Sequence, residues 1–135
     1  MKRRIALSML LMVALASLAV AGGNGAVKVP FDTNVGSVNI NTTGSGMLIA
    51  TGHLDNGQPN AEYSVSIRIR YAGGSNDANA DIATFTTNGQ GKGNFNVQVP
   101  INPAAGDATL RRVAVRVRNA PNDADIAVAW DVPLK

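Results

Sequence analysis

The stretch Glu62-Tyr63-Ser64-Val65-Ser66-Ile67-Arg68-Ile69-Arg70-Tyr71 alternates without a break. Tyr63, Val65, Ile67, Ile69 and Tyr71 fall on one side, and Ser64, Ser66, Arg68 and Arg70 on the other. A strand turns successive side chains to opposite faces, so this period of two predicts one face in a core and one in water.

The same rhythm extends in both directions along the chain. Toward the C-terminus, Thr109–Arg118 alternates Val113, Val115 and Val117 with Arg112, Ala114, Arg116 and Arg118. Asn94–Pro100 turns Phe95, Val97 and Val99 inward, and Asp125–Pro133 is expected to turn Ile126, Val128, Trp130 and Val132 inward. Met47–Leu54 reads as a strand in which Ile49 is out of phase with Leu48, Ala50 and Leu54, as expected of a strand covered on both faces. Ile82–Thr87, Val38–Thr42 and Val27–Phe31 are shorter strands, the last held to an edge by Pro30. Turn residues punctuate these runs: Asp55-Asn56-Gly57, a polar loop over Gly73–Asn79, a hairpin loop at Asn88-Gly89-Gln90-Gly91, and Pro121-Asn122-Asp123 closing the last hairpin. Helical periodicity is almost absent beyond the N-terminal segment.

Strands of this length, separated by turn signals every ~8–12 residues, predict an all-β domain. The expected fold is an immunoglobulin-like antiparallel β-sandwich of about seven to eight strands, with a closed barrel as the alternative. The resemblance to secreted immunoglobulin-like domains is one of architecture only. It would place the strands at 62–71 and 109–118 third and sixth, paired in one sheet.

The N-terminus has a different composition. Met1-Lys2-Arg3-Arg4 is basic, Ile5–Ala19 is apolar apart from Ser8 and Ser17, and Ala19-Val20-Ala21 is a small-x-small exit followed by Gly22-Gly23. That order is expected of a cleavable signal peptide over residues 1–21, and the apolar run is short for a span of about 20 residues. An uncleaved anchor is the alternative. Arg3-Arg4 is compatible with twin-arginine export, although adjacent basic residues also occur in general export leaders. The expected location is secreted or periplasmic. Residues 22–34 read as a flexible or extended segment, and residues 35–135 as the sandwich domain, with no transmembrane segment after cleavage. A strand within 22–34 donated to a neighbouring copy would make the protein a self-assembling surface or filament subunit.

The formal charge of +3 and the pI near 9.7 describe the whole chain. Lys2, Arg3 and Arg4 supply that excess, so the remainder is neutral and bulk charge gives no case for specific nucleic-acid binding. With no cysteine, the domain must rest on core packing and backbone hydrogen bonds, although export would permit disulfides.

Chemistry-bearing patterns are sparse, and no catalytic, cofactor or metal residue is assigned. His53 is the single histidine, placed beside a turn and expected to be solvated. One histidine and no cysteine give neither a nucleophile–base arrangement nor a zinc set. Asp77 with Asp81, or Asp123 with Asp125, offers oxygen ligands without the spacing of a calcium loop, and Lys92 stands where Asn88–Gly93 would need an anion. Most acids are expected to close turns. A hydrolase using carboxylates gathered by loops is the least favoured alternative. Asn41-Thr42-Thr43 matches a glycosylation acceptor.

The feature that stands out is arginine placement. Arg68 and Arg70 on one strand, with Arg112, Arg116 and Arg118 on another, share one sheet face if the two strands pair. Such a face fits an anionic partner, an acidic polysaccharide, a phosphate-bearing surface or an acidic protein. The competing expectation is a solvated face on which Glu62 and Asp131 neutralise these arginines across strands. Tyr63, Tyr71, Phe95 and Trp130 all fall on predicted inward phases, which argues against an aromatic sugar platform. A non-enzymatic exported domain with a binding or structural role follows as the expected function.

Overall fold

The computed structural model describes residues 26–103, 106–120 and 122–135. The expected leader and Pro121 of the last turn lie outside them. Eight strands form two four-stranded antiparallel sheets: β1 (Val27–Pro30), β2 (Gly36–Thr42), β3 (Met47–Leu54), β4 (Glu62–Tyr71), β5 (Asn76–Thr86), β6 (Gly93–Pro100), β7 (Thr109–Ala120) and β8 (Asp123–Pro133). One sheet has the order β1-β2-β3-β6 and the other β5-β4-β7-β8.

The core lies between the sheets and follows from the alternation. Val38 and Ile40 of β2, Leu48, Ala50 and Leu54 of β3, and Phe95, Val97 and Val99 of β6 are buried from one side. Val65, Ile67, Ile69, Val113, Val115 and Val117 meet them from β4 and β7. Each large aliphatic side chain buried this way contributes about 1.5–3 kcal/mol relative to exposure. Ile49 is only half-buried, on the outer face of β3 between Asn41 and Gln98. That strand is therefore covered on one face, not two.

The segment expected to be flexible or extended contains the edge strand read at Val27–Phe31. β1 pairs with β2 from Val27↔Ile40 to Pro30↔Ser37, and Val27 and Phe31 are buried in the core. Two apolar anchors this close together hold the segment in its own sheet. The β1–β2 connection also reaches the opposite sheet. Asp32 N–H donates to the Ile126 carbonyl at 2.9 Å, and Ile126 N–H donates to Asp32 Oδ1 at 3.2 Å. These bonds occupy part of the free edge of β8, a place where unpaired backbone groups would otherwise invite another strand.

Three sequence expectations shift. The polar loop expected over Gly73–Asn79 belongs largely to β5, which starts at Asn76 and pairs with β4. Asn88-Gly89-Gln90-Gly91 connects β5 to β6, which lie in different sheets, so it is a crossover and not a hairpin loop. Its closure is local: Asn88 Oδ1 accepts from Gln90 N–H at 2.9 Å and Lys92 N–H at 3.0 Å. Gly91 has φ +77°, and a Cβ there would stand 2.1 Å from the Gly57 carbonyl oxygen, so glycine is required.

The third shift is in β8. Ala127, Ala129 and Val132 are the buried residues, while Ile126 and Val128 are half-buried on the outer face and Trp130 is 58% exposed. The phase slips between Ala129 and Val132, where Asp131 adopts φ +52°. β7 slips at the same level, between buried Leu110 and Val113, where the β4–β7 register also shifts. Arg111 and Asp131 occupy the paired kinks and bond to each other at 3.0 Å. With the slip at Asp131, Ala127 and Ala129 face the core on one side of it and Val132 on the other, and Trp130 is turned outward.

Candidate functional site

The candidate site is the outer face of the β5-β4-β7-β8 sheet. β4 and β7 are direct antiparallel neighbours, with Ser64↔Arg118, Ser66↔Arg116, Arg68↔Ala114 and Arg70↔Arg112 opposite each other. Because both strands keep an unbroken period of two here, Arg68, Arg70, Arg112, Arg116 and Arg118 all emerge on the same side. Arg68 and Arg70 are exposed, whereas Arg112, Arg116 and Arg118 are half-buried along their stems. Stems lying along a sheet with guanidinium groups at the water boundary are the expected posture of arginine at such a position.

Pairing with the flanking strands arranges the face in rows across the sheet, neighbouring strands being about 4.8 Å apart. One row runs Trp130, Arg112, Arg70, Asn76; the next runs Val128, Ala114, Arg68, Ala78. A third runs Ile126, Arg116, Ser66 and ends at an irregularity in β5, where Asp81 has φ +50° and its N–H is held by Ser66 Oγ at 3.0 Å. Between these side chains lies a shallow hollow of about 160 Å³. The small residues Ser66, Ala78 and Ala114 and the arginines Arg68, Arg112 and Arg116 are among those that line it.

The acids expected to neutralise this face do so only slightly. Asp131 is taken by Arg111 at the kink, and Glu62 stands opposite Thr86 at the far end of β4. Among the described residues, one ion pair reaches the five arginines, Arg118 to Asp81 at 3.9 Å. Arg70 Nε donates to Asn76 Oδ1 at 3.3 Å, a neutral contact. A pair at 3.9 Å at the water boundary contributes at most about 1 kcal/mol.

Sequence reasoning missed Trp130. The indole lies beside Arg112, whose guanidinium carbon sits 5.7 Å from the ring centroid, a cation–π contact. The available signal was the second phase of Asp125–Pro133, in which Ala127 and Ala129 go inward. Size alone favours the opposite phase, in which Trp130 and Val132 share a face; the slip at Asp131 puts Val132 inward and Trp130 outward. The expectation that no aromatic is exposed on a sheet face is therefore corrected.

The other expected residues separate. His53 lies on the outer face of β3 with Nε2 3.3 Å from Asp55 Oδ2. Asp77 Oδ2 accepts the Tyr71 hydroxyl, while Asp81 turns toward Arg118, so these two acids serve different partners. Burial raises the Tyr71 hydroxyl above its ordinary value of 10.0, and the bond to Asp77 pushes the same way. Within the glycosylation pattern, Thr42 is fully buried and donates to the Pro133 carbonyl at 2.8 Å. The pattern lies in strand β2 rather than in a surface loop.

The fold unites one acid pair not expected from spacing, Asp32 with Asp125. Asp125 Oδ1 accepts the Thr33 N–H at 3.2 Å and the Thr33 hydroxyl. Burial raises the Asp125 carboxyl above its ordinary value of 3.8; the Thr33 hydroxyl opposes this, and Asp32 adds to it. With Asp32 committed to Ile126, both carboxylates fasten the β1–β2 connection to β8. Among the described residues, no group of three or more His, Asp or Glu side chains is placed to hold a metal ion.

No family model, curated protein or solved structure matches this chain.

Proposed function

We propose that this chain is an exported, non-enzymatic β-sandwich of immunoglobulin-like architecture that binds an anionic partner across the outer face of its β5-β4-β7-β8 sheet. The observation that carries the proposal is the gathering of Arg68, Arg70, Arg112, Arg116 and Arg118 on one face with a single carboxylate at 3.9 Å. Guanidinium groups hold carboxylates, sulfates and phosphates through paired N–H donors and are less strongly hydrated than ammonium groups, so they suit a contact surface. The partner this favours is an anionic polysaccharide or an acidic protein surface. Export is the reading that the leader pattern of residues 1–21 supports, with the domain acting outside the cell or in the periplasm.

The architectural reading rests on strand order. With β1 taken as an added edge strand, β2, β3 and β6 form one sheet and β4, β7 and β8 stand side by side in the other. Those are the first, second and fifth strands against the third, sixth and seventh, as in immunoglobulin-like sandwiches. β5, the fourth, joins the sheet of the third.

Retention of the secreted domain on a heparin resin, compared with an Arg68→Ser/Arg70→Ser/Arg116→Ser variant, tests the proposal. The wild type should elute at distinctly higher salt, because each lost contact reduces a screened attraction. Equal weak retention of both proteins overturns it.

A further inference from the structure

We propose that the anionic partner is an acidic polysaccharide whose chain crosses from the arginine-lined hollow to Trp130, one sugar ring lying on the indole while the acid group of a neighbouring sugar sits in the hollow. This inference rests on the binding face proposed above and assigns its ligand class.

Three features on that face point the same way. The hollow is lined by Ala78, Ala114 and Ser66 together with Arg68, Arg112 and Arg116, so an anion entering it meets guanidinium groups. Trp130 is diagonal to Ala114 across the β7–β8 pair, which places it ~7–8 Å from that part of the lining. That is the reach of a neighbouring unit in a sugar chain. Finally, Trp130 is 58% exposed with the Arg112 guanidinium over one face of its ring, so the sugar takes the opposite face. An indole offers an apolar, electron-rich face, and the C–H face of a pyranose is its natural complement. Arg112 belongs to both parts, lining the hollow and lying over one face of the indole, and so couples charge recognition to stacking.

Other polyanions match less well. Single-stranded nucleic acid is held by several aromatic side chains, each stacking a base, in a groove of strongly basic protein. Here one aromatic is exposed among the described residues, and the chain beyond Arg4 is neutral. An acidic peptide would use the arginines but would leave Trp130 without a partner of its own kind.

Trp130 is the only tryptophan, so its fluorescence reports this site directly. The secreted domain is titrated with a galacturonate oligosaccharide, a poly-glutamate peptide and an oligothymidylate. The galacturonate should bind most tightly and shift or quench the emission. By isothermal titration calorimetry, which does not need the tryptophan, Trp130→Ala should weaken galacturonate about tenfold, as expected when a stacking contact is lost, while leaving poly-glutamate binding within about twofold. Trp130→Phe, which keeps an aromatic face, should recover part of the loss. If the arginine-dependent binding occurs but Trp130→Ala binds galacturonate as well as the wild type, or poly-glutamate or oligothymidylate binds at least as tightly, the polysaccharide assignment is wrong and the anionic face stands. If no probe binds in an arginine-dependent way, the underlying face is also refuted.

Discussion

Gly52 sits opposite Phe95 in the β3–β6 ladder, and the aromatic ring lies over it. A Cβ added at position 52 would stand 2.2 Å from Phe95 Cζ and 2.5 Å from Cε1, against the ~3.5–4.0 Å of ordinary carbon contacts. The ring must therefore retreat by more than ~1 Å. Its way is obstructed, because Phe95 already packs against Phe85 at 5.4 Å between centroids, and Phe85 stacks on Tyr63 at 5.5 Å. Overpacking of this kind costs about 1–3 kcal/mol. Gly52 has no positive φ, so alanine also removes freedom from the unfolded chain, returning about 0.4–1 kcal/mol. Gly52→Ala should then destabilise the domain by about 1–2 kcal/mol, lowering the melting temperature by ~4–8 °C per kcal/mol.

Urea unfolding followed by circular dichroism gives the midpoint and slope needed to measure this. The decisive comparison is the cycle with Phe95→Leu, a smaller side chain without the ring atoms that meet the new Cβ. The double variant should be more stable than the sum of the two single losses by about 1 kcal/mol. An alanine variant as stable as the wild type, or losses that add within ~0.5 kcal/mol, would show that Gly52 is not reserved for the ring.

Other outcomes follow from the same structure. Tyr71→Phe removes the hydroxyl that donates to Asp77 and accepts the Asn102 N–H at 3.0 Å; a loss of about 1–3 kcal/mol is expected from calorimetry, and an unchanged melting point would contradict the role given to that hydroxyl. Phe31→Ala opens a void beneath the β1–β2 connection and should cost about 3–5 kcal/mol, with accelerated proteolysis near residues 26–35. Asp125 has a raised carboxyl pKa, so the folded state holds that proton more tightly than the unfolded chain. Its contribution is favourable below the ordinary value near 3.8 and is lost as pH rises through the raised value. Asp125→Asn, which keeps an acceptor for Thr33, should flatten that part of the stability–pH curve, and an unaltered curve would count against it.

The strands most visible in the sequence were those with large apolar residues on one parity, and β4 and β6 kept that parity in the structure. The first half of β5 was hidden because Asn76, Asp77, Asn79 and Asp81 have the composition of a loop, whereas its second half was read at Ile82–Thr87; the polar half becomes a strand through backbone pairing with β4, to which side-chain hydrophobicity contributes little. The arginine face could be anticipated because β4 and β7 each place their arginines on the parity opposite to valine, isoleucine or tyrosine. Its ion pairing could not. Asp131 goes to Arg111 only because both residues occupy kinks at the same level of β7 and β8.

By itself the sequence determined the all-β class, most strand positions and the side on which Arg68, Arg70, Arg112, Arg116 and Arg118 emerge. Those follow from the period-two geometry of a strand and the cost of burying guanidinium groups. Tertiary structure alone decided that Val27 and Phe31 belong to the core, that Asp32 and Asp125 meet, and that Trp130 joins the arginines in water. The first two go with the β1–β2 connection closing against β8, a contact between residues about ninety positions apart. The third depends on the phase slip that β7 and β8 share at Arg111 and Asp131, which a strict period of two does not contain.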